Sequence, residues 1–262
     1  MTSEIAGARC ESMPFTVDDF DQLLAATAGS ALLQKIRADA FGDEFTGLET
    51  WSDTTWRLLG RLVAGLRIGP GGRLGDLACG LGEPGLWLAR ATGADLVGVD
   101  WSRVAVAEAT SRAGGFVPPG RARFAVGTLQ ATGLDDGELD AAVCLDAIFF
   151  APDRIAALQE VRRVLRPGGR FLFTADERAR PELPHPVPDW TQLAEAAGFD
   201  VEAEEIAPGF ASRWKRLYEL WLEHLDQIRA RHGEHSAAMM EQEASEVGRI
   251  LDELSLVVIT CR

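Results

Sequence analysis

The stretch "GDLACGLGEPGLWLARATGADLVGVDWS", residues 75–102, decides the fold. Apolar residues around Asp76 form a short strand. Gly80-x-Gly82-x-x-Gly85 breaks it, a helix follows, and "DLVGVD" is a second strand ending on Asp100. This is nominally a dinucleotide fingerprint: glycines let a nucleotide approach the backbone, and an acid at the next strand end holds a ribose. Two details argue against a nicotinamide cofactor. Asp76 closes the first strand before the glycines, where a dinucleotide fold has no special need for an acid. Gly85 follows Pro84 and falls in the first helical turn, where close packing is enough to explain it.

Working outward, strands and helices alternate. Strands are expected at 73–78, 95–100, 121–126, 139–146 and 170–175, with helices at 83–92, 102–113, 153–165 and 189–197. That rhythm predicts a parallel sheet covered on both faces. The more polar run 201–206 reads as a strand near an edge. Before the sheet, Thr16 is placed to cap one helix reaching about Ala40, and a second helix is expected from Ser52 to Leu66. Residues 209–253 read as two long helices with a break near Gly233, followed by a last strand, "LVVIT", at 256–260. Pro181–Pro188 reads as a stiff loop.

The ordered set "LGDLACGLGEPGLWLA", "VGVDWS", "LDAAVCLDAIFFAPD" and "RVLRPGGRF" resembles the motifs of class I S-adenosylmethionine-dependent methyltransferases over roughly residues 50–205. The resemblance implies a Rossmann-like, doubly wound, mostly parallel seven-stranded sheet. It implies an N-terminal helical cap at 1–66 and a cofactor-binding domain at 67–262, with a helical lid inserted at about 209–253. The cofactor would be S-adenosyl-L-methionine. Asp76, Ala78, Gly80 and Gly82 would form its glycine turn, and Asp100 would accept the ribose hydroxyls. Trp101 would lie against adenine, with Thr128 and Leu129 nearby, and Leu145 and Asp146 would face the amino end. Trp51 and Ser52, with Thr55, would close over the methionine portion. Two positions depart from the family pattern: Ala78 stands for the usual first glycine, and Thr128 for an acid that accepts from the adenine amino group. Three of these residues also have a plainer reading. Asp76 suits an exposed strand end, Asp146 a turn cap and Trp101 ordinary core.

The acceptor is less constrained. No Asn-Pro-Pro-Tyr or Asp-Pro-Pro-Tyr motif occurs. The stripe Phe210, Trp214, Tyr218, Trp221 and His224 lies on one face of a helix. It reads either as an aromatic wall over an apolar acceptor or as a docking face. Phe149 and Phe150 form a second candidate wall. Candidate general bases are His185, His224 and Glu49; His232 and His235 read as exposed residues with no metal role.

The net charge of −14 argues against nucleic acid and anionic membrane partners. Four scattered cysteines, Cys10, Cys79, Cys144 and Cys261, suggest reduced thiols in a cytoplasmic protein. The expectation is therefore methyl transfer to a small molecule, and the resemblance to stand-alone bacterial methyltransferases with a short N-terminal helical cap implies a setting such as secondary metabolism. Two alternatives stay open: a cyclisation or rearrangement on the same scaffold, or a non-catalytic cofactor-binding partner. The sequence says nothing of oligomeric state.

Overall fold

The computed structural model describes residues 16–178 and 189–262. Its centre is one seven-stranded sheet of β1 (Arg73–Leu77), β2 (Asp95–Asp100), β3 (Ala122–Val126), β4 (Leu139–Cys144), β5 (Leu165–Arg178), β6 (Val201–Ile206) and β7 (Leu254–Cys261), in the order β3-β2-β1-β4-β5-β7-β6. Strands β1 to β5 pair in parallel, and β7 runs antiparallel to both β5 and β6. The chain passes from β1 to β2 on one side and returns to β4 on the other. That reversal creates the crevice where open α/β sheets bind ligands, at the C-terminal strand ends. The polar β6 is an edge strand, as its sequence predicts.

The helices are α1 (Val17–Thr27), α2 (Ala31–Phe41), α3 (Trp56–Leu66), α4 (Glu83–Thr92), α5 (Arg103–Arg112), α6 (Arg154–Val164), α7 (Trp190–Ala196), α8 (Phe210–Glu223) and α9 (Leu225–Ile250). Central strands read as continuous apolar runs because both sheet faces are covered. On one face Phe171 and Phe173 of β5 pack with Leu158 and Val161 of α6 and Trp190 of α7. On the other, Leu59, Leu62 and Leu66 of α3 meet Leu74 and Leu86. A further core lies off the sheet, where Ile36 and Phe41 of α2 pack with α8 and α9. The N-terminal helices and the late helical insertion therefore form one packed body.

Four sequence expectations need correction. The helix expected from Thr16 to Ala40 is two helices. Gly29, at φ +73°, separates them, and the Ser30 side chain caps the second. The helix expected from Ser52 starts at Trp56, because the Thr55 side chain accepts from the Leu58 amide and caps it there. The insertion breaks at His224 as well as at Gly233, whose φ is +84°. Strand β5 begins at Leu165 rather than Arg170: Pro167-Gly168-Gly169 is a bulge within it, between the pairs Leu139–Leu165 and Ala141–Arg170. The proline loop 181–188 lies outside the described residues.

Candidate functional site: a cavity at the strand ends

A cavity of about 520 Å³ opens at the crevice between β1 and β4. The loop after β1 supplies Ala78, Cys79, Gly80 and Leu81, and β2 supplies Asp100 with Trp101. Thr128 and Leu129 follow β3, and Leu145, Asp146 and Phe150 follow β4. Backbone geometry is unusual here. Among the described residues, Arg67, Ala78 and Asp146 are the non-glycine residues with positive φ, and the last two line the cavity. Such conformations cost an L-residue roughly 1–2 kcal/mol, and they tend to gather where function over-determines the chain. Ala78 is held at φ +62° by its amide, which donates to the Val99 carbonyl at 2.8 Å. Gly80, at φ +53°, has no atom within 4 Å of where a Cβ would stand, so its missing side chain leaves open space.

The sequence groups Asp76 and Gly82 with this rim, but neither lines the cavity. Gly82 is the N-cap of α4, and a Cβ on it would stand 2.8 Å from Ala109. Asp76 is 3 % exposed, which rules out the solvent-facing strand end. It lies beneath the turn, against Gly85, whose Cβ would fall 2.3 Å from its Oδ2. Gly85 is thus a packing glycine that makes room for a buried acid. Burial, and then the Asp100 charge, push the Asp76 carboxyl up to about 7, against the Gly85 amide. The Asp76 Oδ2 has no hydrogen-bond partner.

Asp100 is held rigidly. Its Oδ2 accepts from the Gly80 amide at 2.8 Å and its Oδ1 from the Ser102 amide at 2.9 Å. Burial raises its pKa, and the two amides oppose that rise. Each oxygen keeps a further lone pair, so the carboxylate can still accept two hydroxyls. Trp101 is half-buried, 6.4 Å from the Phe20 ring, and lines the cavity instead of filling core. The Thr128 hydroxyl accepts from the Ala131 amide at 3.1 Å.

Asp146 faces the cavity while also tying the walls together. Its Oδ2 accepts from the Asp53 amide at 2.6 Å, and its Oδ1 from the Thr174 hydroxyl. Asp53 belongs to the segment before α3, which lines the cavity with Glu49, Thr50, Trp51 and Ser52. Thr55, by contrast, is spent as the helix cap. The Asp53 carboxylate is 1 % exposed and takes a bidentate pair from Arg213 of α8. Burial raises the Asp53 pKa, and Arg213 opposes the rise. Arg37 donates to the Ser52 carbonyl, and burial lowers its pKa to about 10, so it stays charged at neutral pH. This buried knot of Arg37, Asp53, Arg213 and Asp146 joins the cap, the insertion and the sheet. Sequence reading missed its two arginines and Asp53, which carry no spacing signal.

The aromatic stripe packs inward. Phe210, Tyr218 and Trp221 are 2–4 % exposed, sit in the core shared by α2, α8 and α9, and do not line the cavity. Of that stripe only Trp214 reaches the cavity. Phe149 is likewise core, while its neighbour Phe150 lines the cavity. Of the three candidate bases, His224 and Glu49 lie among the described residues. The His224 Nδ1 donates to the Leu220 carbonyl at 3.0 Å at the end of α8, away from the cavity. Glu49 lines it, but accepts from the Gly29 amide at 2.8 Å and from Arg112 at 2.7 Å; Arg112 also binds Glu83. It reads as a clamp on the α1–α2 break. His185 lies outside the described residues. His232 has the same clamping character: Nδ1 donates to the Ala26 carbonyl and Nε2 accepts from the Ser30 hydroxyl. Sequence reading also missed Met239, Met240, Glu243 and Val247 of α9, which complete the lining.

A methyltransferase-domain family model matches residues 75–173, the segment running from β1 into β5. The 27-O-demethylrifamycin SV methyltransferase of Amycolatopsis mediterranei (strain S699) is 29% identical over 157 residues, covering 60% of this chain and 53% of that protein. The chain spans only 42–53% of the length of the first curated relatives it matches. Among solved structures, the [4+2]-cyclase SpnF superposes with a TM-score of 0.73 at 21% identity, over 100% of this chain and 97% of that one. A methyltransferase from Geobacter sulfurreducens, bound to S-adenosyl-L-homocysteine, gives 0.65 at 24% identity, over 86% and 97%. At these identities the structural likeness is one of fold. The segment that matches the methyltransferase domain holds the glycine turn, the Asp100 strand end and the β1–β4 switch point.

Proposed function

We propose that the protein transfers the methyl group of S-adenosyl-L-methionine to a small-molecule acceptor, in a setting such as secondary metabolism. One observation carries this reading. The strand-end cavity combines open space at Gly80 with a rigid, buried carboxylate at Asp100. The donor set fits the cofactor: Asp100 suits a ribose diol, Trp101 an adenine face, and the Asp146 side an ammonium. When bound, the cofactor supplies an electrophilic methyl on a sulfonium centre. The chain's own residues would orient acceptor and methyl in line and shield both from water. Trp51 and Trp214, which line the cavity and are joined behind it by the rings of Trp221 and Tyr218, would form the water-excluding side.

The test uses S-adenosyl-L-homocysteine and NADH titrated separately into the same protein. The reading expects tight binding of the first only; preferential binding of the nicotinamide would defeat it. Mass spectrometry with labelled cofactor and candidate extracts then reads the reaction. Acceptor mass should rise by one methyl as S-adenosyl-L-homocysteine appears. An acceptor altered at unchanged mass would replace methyl transfer by a rearrangement.

A further inference from the structure

The acceptor side of the cavity has its own chemistry, carried by α9. Met239, Met240, Glu243 and Val247 line the cavity from this helix. Their spacing, at steps of one, three and four, puts them on one helical face. The face is apolar except at Glu243. A charged residue on an inward-facing stripe breaks the local pattern, and such breaks concentrate at functional positions. Tyr218 fixes its place: the phenol, 3 % exposed between Trp214 and Trp221, donates to the Glu243 Oε1 at 2.8 Å.

The other carboxylates lining the cavity are Glu49, Asp100 and Asp146. Glu49 accepts from the Gly29 amide and Arg112, Asp100 from the Gly80 and Ser102 amides, and Asp146 from the Asp53 amide and the Thr174 hydroxyl. Glu243 differs in place: it reaches the cavity from the roof helix α9, and not from the strand ends or the segment before α3. Among the described residues lining the cavity, every charged side chain is an acid. An anionic acceptor entering beside the cofactor would meet the Glu243 carboxylate with no cation among the described residues that line the cavity.

Building on the methyltransferase reading above, we propose that Glu243 selects the acceptor class: an apolar molecule presenting a hydroxyl or an amine to the roof of the cavity, and not a carboxylate or phosphate. The hydroxyl or ammonium donates to the Glu243 carboxylate, while Trp214 and the two methionines cover the apolar body. Methionine suits that role, being polarizable and adaptable in shape.

The experiment loads the protein with S-adenosyl-L-homocysteine and titrates three probes of one shape by calorimetry at pH 7.5: 2-naphthylmethylamine, 2-naphthalenemethanol and 2-naphthoate. The amine and the alcohol should each bind at least tenfold more tightly than the naphthoate. Glu243→Gln, which keeps the shape and removes the charge, should cut the amine-to-naphthoate ratio at least fivefold and leave S-adenosyl-L-homocysteine affinity within twofold. Naphthoate binding as tightly as the amine overturns the proposal, and so does an unchanged ratio in the variant. The wild-type comparison stands even if the variant does not fold. Loss of S-adenosyl-L-homocysteine binding by the wild-type protein counts against the methyltransferase reading, not against the selectivity of the roof.

Discussion

Ala78, Asp100 and Asp146 reach the cavity from the ends of β1, β2 and β4, whereas Trp214, Met240 and Glu243 reach it from helices packed on a separate core. The first group is positioned by hydrogen bonds in the sheet and its turns. A strand pairs in one register, and its last residue has one place to go. The second group is positioned by side-chain packing among α2, α8 and α9, with the Asp53–Arg213 pair as its tie to the sheet. Here one aromatic residue lines the cavity while its neighbours, a turn away, fill core. Rim positions thus follow from the backbone, and roof positions from packing that periodicity does not specify.

The sharpest way to break this contrast is at Trp221, which the sequence leaves as either acceptor wall or docking face and which lies in the roof core, 4 % exposed. Replacing Trp221 with Ala should destabilise the protein by about 3–5 kcal/mol through the cavity left behind. Affinity for S-adenosyl-L-homocysteine, measured well below the new melting temperature, should change little. A variant that melts like the parent would return Trp221 to the acceptor pocket and remove the distinction between core and lining within α8.

Asp76 provides the next effect, on the rim side. Its folded pKa of about 7 lies above the unfolded value near 3.9, so the native state holds the proton more tightly. The stabilisation is complete below about pH 4 and is lost as pH rises through about 7, by up to about 4 kcal/mol. Asp76→Asn keeps the shape without the titration. Urea unfolding from pH 4.5 to 8.5 should show the parent losing stability relative to the variant. Parallel curves would mean that Asp76 is solvated when the chain is folded.

These two residues show how much the sequence could disclose. The sheet was legible because apolar runs and the glycine turn each carry a local signal, whereas the PGG, which reads as a break before a strand, is a bulge inside it. The motif resemblance assigns Ala78, Gly80, Asp100, Trp101, Thr128, Leu145 and Asp146, together with Trp51 and Ser52, to the cofactor site, and all of them line the cavity. Asp76 and Gly82 belong to the same motif, but the one is buried beneath the turn and the other caps α4. In the roof, a stripe with a period of 3.6 residues defines a helix face and says nothing about what that face meets. Asp53, Arg37 and Arg213 lie far apart in sequence, and only tertiary packing makes them a knot. Glu243 did carry a signal: an acid inside the apolar face of Met239, Met240 and Val247.

Asp100 gives a smaller and cleaner effect. Asp100→Asn retains most of the shape but loses the charge-assisted acceptance of the ribose hydroxyls. Calorimetry should show cofactor affinity falling by about 1.5–3 kcal/mol. The Asn side chain must also satisfy the Gly80 and Ser102 amides with a single oxygen, so thermal melts belong beside the titration. Unchanged affinity in a stable variant would place the ribose elsewhere and remove the rim's claim to hold the cofactor through strand ends.

The smallest effect is at Ala78, and it tests whether the rim is set by backbone in the sense argued above. Alanine at φ +62° bears a steric cost of about 1–2 kcal/mol that glycine would not. Glycine in turn loses more freedom on folding, which takes back about 0.4–1 kcal/mol. Ala78→Gly should therefore be near neutral or stabilising by up to about 1.5 kcal/mol. The Ala78 amide should keep its bond to the Val99 carbonyl, so the turn should keep its shape. S-adenosyl-L-homocysteine affinity should hold or rise slightly, because the removed methyl belongs to a residue that lines the cavity. Chemical unfolding and titration on the same preparations read both quantities. A loss of more than about 1 kcal/mol in either would mean that the Ala78 methyl makes a contact the rim depends on, so that packing as well as backbone sets this edge of the site.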